Sequence, residues 1–204
     1  MNDHYYSADP QSEHRYAETA YAYRGAELRF LTDAGVFSRG EVDYGTQVLL
    51  RALPEEMSGR VLDLGCGWGA VGVSLAKRYP ACRVTMSDVN RRALDLAAKN
   101  AQSNGVQAQC VQSDGLDAVE GPFDLIVTNP PIRAGKQVIY RLFAQSADKL
   151  SPGGALYLVI RKQQGAESAI KYLKTIFPQV DTVEKSGGFW VIRCIKREET
   201  EDEV

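Results

Sequence analysis

The sequence has few histidines and cysteines and no long hydrophobic run. Its four cysteines are widely spaced, without the close pairs of a zinc site or a redox dithiol, so we expect ordinary buried thiols and no bound metal. They are Cys66, Cys82, Cys110 and Cys194. The longest apolar run, residues 155–160, is far below the roughly 18 residues of a membrane span, and the polar start has no signal-peptide core. We therefore expect a cytoplasmic protein with no membrane partner.

The charge is nearly balanced overall but unevenly distributed along the chain. The 24 basic and 26 acidic residues give a net charge of -2, and acids crowd the last seven positions. Without that tail the chain is net positive, which is compatible with a nucleic acid partner but does not require one. The length of 204 residues predicts one domain, divided into an amino-terminal cap (1–58), a core (59–197) and an acidic tail (198–204).

From about residue 59 onward, short apolar runs alternate with amphipathic stretches. This alternation predicts an α/β fold in which helices pack on a mostly parallel sheet. A turn signal at 186–188 predicts that the last two strands form an antiparallel pair. Strands are expected at 60–65, 82–88, 108–114, 123–129, 155–161, 179–185 and 188–196, and helices at 71–79, 90–105, 137–150 and 167–177.

The first 58 residues follow a different pattern. Polar and apolar residues alternate from about Glu27, and Asp33-Ala34-Gly35 is a turn signal. Helical spacing begins after Thr46. We interpret this stretch as a hairpin that turns at 33–35 and leads into a helix covering the sheet.

A glycine-rich loop, DLGCGWG (63–69), joins the first core strand to the next helix. Glycines at alternate positions let the backbone bend sharply near a ligand, and the helix start offers free N–H groups to an anionic cofactor group. The G-x-G-x-G spacing is tighter than the G-x-G-x-x-G of dinucleotide-binding loops. It therefore argues against a nicotinamide cofactor. A tight turn without a ligand is the alternative interpretation.

Acids at the ends of the next predicted strands extend this site. Asp88 lies nineteen residues beyond Gly69, which suits a carboxylate that accepts both hydroxyls of a ribose. Asp114 ends the third strand, where it could accept a hydrogen bond from an adenine amino group. Taken singly, each acid is better explained as a solvated residue at a strand end or as a helix cap. Together with Asp63 they line one cleft suited to a cationic ligand that carries adenosine.

The sequence NPPI (129–132) follows the fourth predicted core strand. Prolines hold Asn129 and Pro130 extended and supply no N–H, which leaves carbonyl acceptors at the strand end. In an open α/β sheet this edge is where ligands bind. Asn-Pro also starts ordinary turns, so from these residues alone both interpretations stay open.

The ordered set of motifs resembles that of the S-adenosylmethionine (SAM)-dependent methyltransferases of the seven-stranded Rossmann-like class. The set consists of DLGCGWG, Asp88, Ser113-Asp114 and NPPI. The resemblance is to the branch that methylates planar or amide nitrogens. It implies a mostly parallel seven-stranded sheet with one antiparallel strand and helices on both faces, after an amino-terminal hairpin and helix. It also implies SAM as cofactor, bound by Thr46, Asp63, Gly65, Gly67, Gly69, Asp88, Ser113, Asp114 and Asn129.

Within that branch, GVFSRGEVDYGTQVLL (35–50), NPPIRAGK (129–136) and KQQGA (162–166) resemble small-subunit ribosomal RNA guanine-N2 methyltransferases, and more closely their stand-alone single-domain relatives. The resemblance implies RNA, of ribosomal type, as the partner of a monomer or homodimer. Asn129 and Pro130 would be catalytic, because their oxygens can accept both N–H groups of an exocyclic amine. That chemistry needs no strong base, and the only histidines are His4 and His14. Substrate contacts would come from Phe37, Pro131, Ile132, Arg133 and Lys136.

Two other functions stay open. One is methylation of a protein glutamine amide, and the other is a non-catalytic RNA-binding module. Ile132 stands where the adenine and glutamine branches usually have a stacking aromatic, which counts against glutamine; Phe37 or Tyr44 could supply the missing ring. The intact glycines and Asn-Pro-Pro count against a module without activity. Arg161 and Lys162 could add a basic rim at the same edge of the sheet.

Overall fold

The computed structural model describes residues 13–198, which form two sheets and five α-helices. His4 and residues 199–204 of the predicted acidic tail lie outside the described residues. The strands are β1 (Ala17–Tyr23), β2 (Ala26–Thr32), β3 (Gly59–Leu64), β4 (Cys82–Asp88), β5 (Gln109–Gln112), β6 (Phe123–Thr128), β7 (Leu150–Arg161), β8 (Gln179–Ser186) and β9 (Phe189–Ile195). The helices are α1 (Tyr44–Ala52), α2 (Ala70–Arg78), α3 (Arg91–Ser103), α4 (Lys136–Lys149) and α5 (Ala166–Leu173), with short 3-10 turns at Ile132–Ala134 and Lys162–Gln164.

The main sheet has the predicted architecture. Its seven strands lie in the order β5-β4-β3-β6-β7-β9-β8, and β9 runs antiparallel to both of its neighbours. The order reverses beside β3, where β4 lies on one side and β6 on the other. A crevice opens outside the carboxyl ends of strands at such a switch point. The fold class predicted from the sequence is confirmed.

Both faces of this sheet are buried, which explains the nearly continuous apolar runs of its strands. Side chains alternate between two cores, so that Val61 of β3 faces one core and Leu62 the other. The first core includes residues of the hairpin, α1, α2 and α3, and the second includes residues of α4 and α5. Helices therefore cover both faces. All four cysteines are free; Cys66 and Cys194 are buried, and Cys82 and Cys110 are half-buried.

The amino-terminal hairpin exists, but its predicted turn position was wrong. Strands β1 and β2 are joined at Arg24-Gly25, where both residues have positive φ (45° and 82°), as a type I′ hairpin turn requires. Asp33 comes after β2 and is fully buried, and its carboxylate accepts the backbone N–H groups of Arg15 at 2.6 Å and Ala34 at 2.7 Å. The turn signal at 33–35 therefore marks where the chain leaves the hairpin.

Side chains of α3 and of its C-cap residue pair with the free edge of β2. The Asn100 side chain accepts the Leu31 N–H at 2.7 Å and donates to the Leu31 carbonyl at 2.9 Å. The Asn104 side chain does the same with Arg29, at 3.1 and 2.7 Å. Asparagine amides thus take the place of a neighbouring strand and fix the hairpin over the first core.

The predicted element boundaries are close to those observed. Strand β7 begins at Leu150, so the turn predicted at 151–154 forms the early part of this strand instead. Helix α5 ends at Leu173, short of the predicted 177. Among the described residues, no helix is long and apolar enough to cross a membrane.

Candidate active site

A cavity of about 840 Å³ opens at the carboxyl ends of β3, β4, β5, β6 and β7. Its size is ample for a nucleoside-sized ligand. Most of the residues singled out from the sequence line it: Phe37, Thr46, Asp63, Gly65, Gly67, Asp88, Ser113, Asp114, Asn129, Pro130, Pro131, Ile132 and Arg133. The fold therefore brings together motifs that are spread over almost one hundred residues of sequence.

Two predicted site residues do not line the cavity. Gly69 is buried against α3, where an added Cβ would lie 3.2 Å from the Ala97 Cα, so this glycine serves helix packing. Lys136 starts α4 with its side chain exposed, and its Nζ lies 5.1 Å from the centroid of the Tyr140 ring. Neither position supports the contact predicted for it.

The glycine loop presents its backbone to the cavity. Gly65 and Gly67 have positive φ, 70° and 55°, and a Cβ added at either would meet no atom within 4 Å. The loop is held from behind, because the N–H groups of Gly65 and Cys66 donate to the Ser87 carbonyl at 2.8 and 2.9 Å. The bend is thus fixed while its outer side leaves room for a ligand.

Asp88 connects this loop to the end of β4. One carboxylate oxygen accepts the Gly67 N–H at 2.8 Å, and the other accepts the Asn90 N–H at 2.8 Å. Burial raises the pKa of Asp88, and these N–H groups partly oppose the rise. The Ser87 hydroxyl beside it is buried, lines the cavity and has no hydrogen-bond partner among the described residues. A polar ligand would satisfy it.

Asp63 is the most deeply buried acid of the site. Its carboxylate accepts the Gly72 N–H at 2.7 Å, which ties β3 to the first turn of α2. Burial raises the pKa of Asp63 to about 7, the Gly72 N–H lowers it, and the negative charge of Asp88 raises it further. The two acids therefore form an electrostatically coupled pair in the wall of the cavity.

Ser113 and Asp114 lie at the end of β5 with different surroundings. The buried Ser113 hydroxyl accepts the Ala118 N–H at 3.0 Å and so shapes the loop that follows. The exposed Asp114 carboxylate pairs with Arg141 of α4 at the cavity rim. No sequence motif indicated Arg141, because the pair joins residues 27 positions apart on separate elements.

Asn129 has its side-chain amide fixed by two residues of the amino-terminal cap. The Asn129 Nδ2 donates to Asp43 Oδ2 at 3.1 Å and to the Thr46 hydroxyl at 3.1 Å. Asp43 also caps α1 by accepting the Gly45 N–H at 2.9 Å, and the Thr46 hydroxyl donates to it. A carboxylate can only accept, so the amide nitrogen must face Asp43 and Oδ1 must face away from it. Sequence reasoning missed Asp43.

The aromatic side chains at the mouth are only partly those predicted. Phe37 lines the cavity at 41% exposure, and its carbonyl accepts the Trp68 Nε1–H at 2.8 Å, which ties it to the glycine loop. Tyr44 is not part of the lining, since its hydroxyl hydrogen-bonds with the Ser186 hydroxyl at 2.8 Å. Phe189, at the start of β9, lines the cavity instead.

Sequence comparisons with known proteins bear on the family of this chain. The sequence model of the methyltransferase small domain family matches residues 27–193. Uncharacterized protein YbxB of Bacillus subtilis is 40% identical over 200 residues, covering 96% of this chain and 100% of that protein. Ribosomal RNA small subunit methyltransferase C of Hahella chejuensis is 44% identical over 139 residues, 66% of this chain and 41% of that enzyme.

A solved structure supports the same assignment. The T. thermophilus 16S rRNA N2 G1207 methyltransferase, in complex with AdoMet and guanosine, superposes with a TM-score of 0.82 at 30% identity, covering 92% of this chain and 52% of that one. The chain thus spans about half the length of the ribosomal RNA methyltransferases it matches. The predicted resemblance to SAM-dependent methyltransferases is confirmed, and the chain belongs to the methyltransferase small domain family.

Proposed function

We propose that this protein methylates the exocyclic N2 amine of a guanine in RNA of ribosomal type. Its membership of a methyltransferase family supports the reaction class, with SAM as the methyl donor. The substrate is suggested by relatives named as small-subunit ribosomal RNA methyltransferases and by a solved relative that acts on guanine N2. The proposal for this chain depends on its own residues at the mouth of the cavity.

The orientation of Asn129 is the observation that carries the proposal. With its Nδ2 held by Asp43 and Thr46, the amide turns Oδ1 away from these partners as an acceptor. The Pro130 carbonyl is the next acceptor along a chain that the two prolines keep extended. Two acceptors on one rigid segment can bind both N–H groups of an incoming amine.

Two such acceptors would favour the reactive form of the amine. The lone pair of an exocyclic amine on guanine is delocalised into the ring, so the nitrogen must become pyramidal before it can attack. Acceptors in tetrahedral directions stabilise that form, and their fixed positions leave little to reorganise during the reaction. SAM, when bound, supplies an electrophilic methyl group on a sulfonium. The methylated nitrogen then becomes acidic and loses its proton without a strong base.

The cavity wall fits SAM at several points. The Asp88 carboxylate can accept ribose hydroxyls, and the open backbone at Gly65 and Gly67 leaves room for the methionine portion. Asp114 and Ser113 lie where the adenine is expected, at the end of β5. The geometry suggests a different role for Thr46 from the predicted cofactor contact, because its hydroxyl already bonds to both Asp43 and Asn129.

The target base would lie between the mouth residues. Pro131 and the half-buried Ile132 form an apolar wall, and Phe37 and Phe189 add rings that can contact a planar base. Arg133 is exposed at the same edge, where it can reach a phosphate. Phe189 thus offers the aromatic contact that Ile132 lacks.

Transfer of labelled methyl from SAM tests the proposal. Ribosomal RNA from cells that lack this protein is incubated with the purified protein, digested to nucleosides and separated. We expect label in N2-methylguanosine. Asn129→Ala should lose about 100-fold or more in rate, because one acceptor on the reacting amine is removed. Calorimetry should show that it still binds SAM.

A matched control is Gln102→Ala, which removes an exposed amide from α3 outside the cavity. It should transfer methyl at the wild-type rate. Full activity of Asn129→Ala with SAM bound would refute the mechanism. Label in protein glutamine instead of RNA would favour the second enzymatic interpretation, and a wild-type protein without SAM affinity would favour the non-catalytic module.

A further inference from the structure

A cluster of basic and aromatic side chains continues outward from the cavity mouth. We call it the basic–aromatic rim, made of Arg51, Arg161, Lys162, Lys185, Tyr44, Phe189 and Trp190. Arg161 and Phe189 line the cavity and pair with each other across β7 and β9. The remaining members lie on α1, on the 3-10 turn after β7 and on the β8–β9 hairpin. The rim therefore starts at the proposed target site and leads away from it.

Each cation of the rim lies near an aromatic ring. The Arg161 guanidinium is 4.6 Å from the Phe189 ring centroid, and the Arg51 guanidinium is 5.6 Å from that of Tyr44. Trp190 has two such neighbours, Lys185 Nζ at 4.3 Å and Lys162 Nζ at 5.8 Å. The lysines come from different segments, so the fold, and not local sequence, brings them to one ring.

The rim carries more positive than negative charge. Within residues 13–198, none of the four rim cations forms an ion pair with a carboxylate, and all four are exposed. Glu184 on β8 is the acid that acts electrostatically on Tyr44. In a chain whose net charge is -2, this local excess of positive charge is complementary to a polyanion.

Two glycines allow the aromatic rings to sit close to the backbone. A Cβ added to Gly187 would lie 2.5 Å from Tyr44 Cε1, and one added to Gly45 would lie 2.6 Å from Phe189 Cε1. The Tyr44 hydroxyl is also hydrogen-bonded to Ser186. The rings of Tyr44 and Phe189 are therefore held in place before any partner arrives.

We propose that the rim binds the single-stranded RNA that flanks the target nucleotide, which deepens and rests on the proposed function. Cations that lie over rings can move to phosphates and leave the ring faces to the bases, and this combination of contacts is what single-stranded nucleic acids use. An acidic protein segment would use the charges but not the ring faces. The rim would thus bind the flanking RNA, and the cavity would bind the target base.

Direct binding measurements test the rim without requiring methyl transfer. Fluorescein-labelled single-stranded RNA of about 20 nucleotides is titrated by anisotropy between 50 and 200 mM salt. For Lys162→Ala/Lys185→Ala we expect about tenfold weaker binding and a salt slope reduced by about 1.4, since each lost phosphate contact removes roughly 0.7. Trp190→Leu, which keeps an apolar side chain on β9, should weaken binding by about tenfold through lost stacking, with an unchanged salt slope.

The control is Lys99→Ala/Lys174→Ala, which removes two exposed lysines of α3 and of the turn after α5, outside the rim. It should bind RNA as the wild type does. Wild-type RNA affinity of both rim variants would overturn the proposal, as would equal competition by polyglutamate. If the rim variants lose RNA binding but the wild type forms no N2-methylguanosine, the rim stands and the proposed guanine reaction fails.

Discussion

At the scale of single residues, Asp43 determines which atom of Asn129 is available to a substrate. It lies 86 residues from Asn129 in sequence and accepts its amide N–H at 3.1 Å. Asp43→Asn is expected to lower kcat about 100-fold, because an amide at 43 can also donate and lets the Asn129 amide turn over. The affinity for SAM should stay within about twofold. The measurement is steady-state methyl transfer beside calorimetric SAM binding.

Asparagine caps a helix N-terminus as well as aspartate does, so α1 should keep its stability in this variant. A midpoint of thermal unfolding equal to that of the wild type would verify that the variant keeps its stability. An unchanged kcat, or a loss that appears only in KM, would show that Asp43 does not orient Asn129.

The buried carboxyl of Asp63 should make stability depend on pH. Its pKa is raised to about 7 when folded, whereas an unfolded aspartate ionises near roughly 3.9. Between these values the folded state holds the extra proton, so the free energy of unfolding falls as pH rises from about 4 to about 7. Asp63→Asn keeps an acceptor for the Gly72 N–H and does not titrate.

We therefore expect Asp63→Asn to unfold like the wild type near pH 4 and to be more stable by on the order of 3 to 4 kcal/mol at pH 8. Urea unfolding of the SAM-free proteins at several pH values measures this difference. Asp95→Asn, an exposed acid of α3, is the control and should follow the wild type. A difference that stays constant between pH 4 and pH 8 would contradict the interpretation.

At the scale of elements, the hairpin depends on two asparagines, one in α3 and one at its C-cap. Asn100 is 1% exposed and bonds to both backbone groups of Leu31 and to the Trp68 carbonyl at 2.8 Å. Asn100→Ala should cost about 2 to 3 kcal/mol, because it leaves buried backbone groups without partners. In hydrogen exchange, the Leu31 amide should lose protection first. Loss confined to α3, with the hairpin still protected, would refute this role.

Most elements could be predicted, because the strands are buried on both faces and the helices pack one face on the sheet, and each arrangement produces a recognisable pattern of apolar residues. The predicted position of the hairpin turn was wrong for a physical reason. Asp33-Ala34-Gly35 has the composition of a turn, but the Asp33 carboxylate accepts the Arg15 N–H where the chain leaves β2. The sequence does not reveal that Arg24 adopts positive φ, because nothing in its side chain requires it. Turn composition thus identified the bend after β2 but not the turn that joins β1 to β2.

At the scale of the whole molecule, the site is assembled from motifs of two kinds. The position of the glycine loop, Asp88 and Asn129 in one cavity could be predicted, because the local sequence of each motif determines its backbone geometry. Asp43, Arg141 and Phe189 could not, since each reaches the cavity only after distant elements pack together. Gly69 and Lys136 lie outside the cavity lining, because neighbours in sequence can face different surroundings.

Because of the two acids in the cavity wall, Asp63 and Asp88, ligand binding should be coupled to proton release. Burial raises the pKa of Asp63 to about 7 and raises that of Asp88 above its usual range, so near neutral pH Asp63 holds part of a proton before a ligand binds. A ligand that brings positive charge favours the ionised acids and should expel that fraction into solution. SAM should accordingly bind more tightly at pH 8 than at pH 6. Calorimetry at pH 7 in two buffers of different ionisation enthalpy would count the released protons.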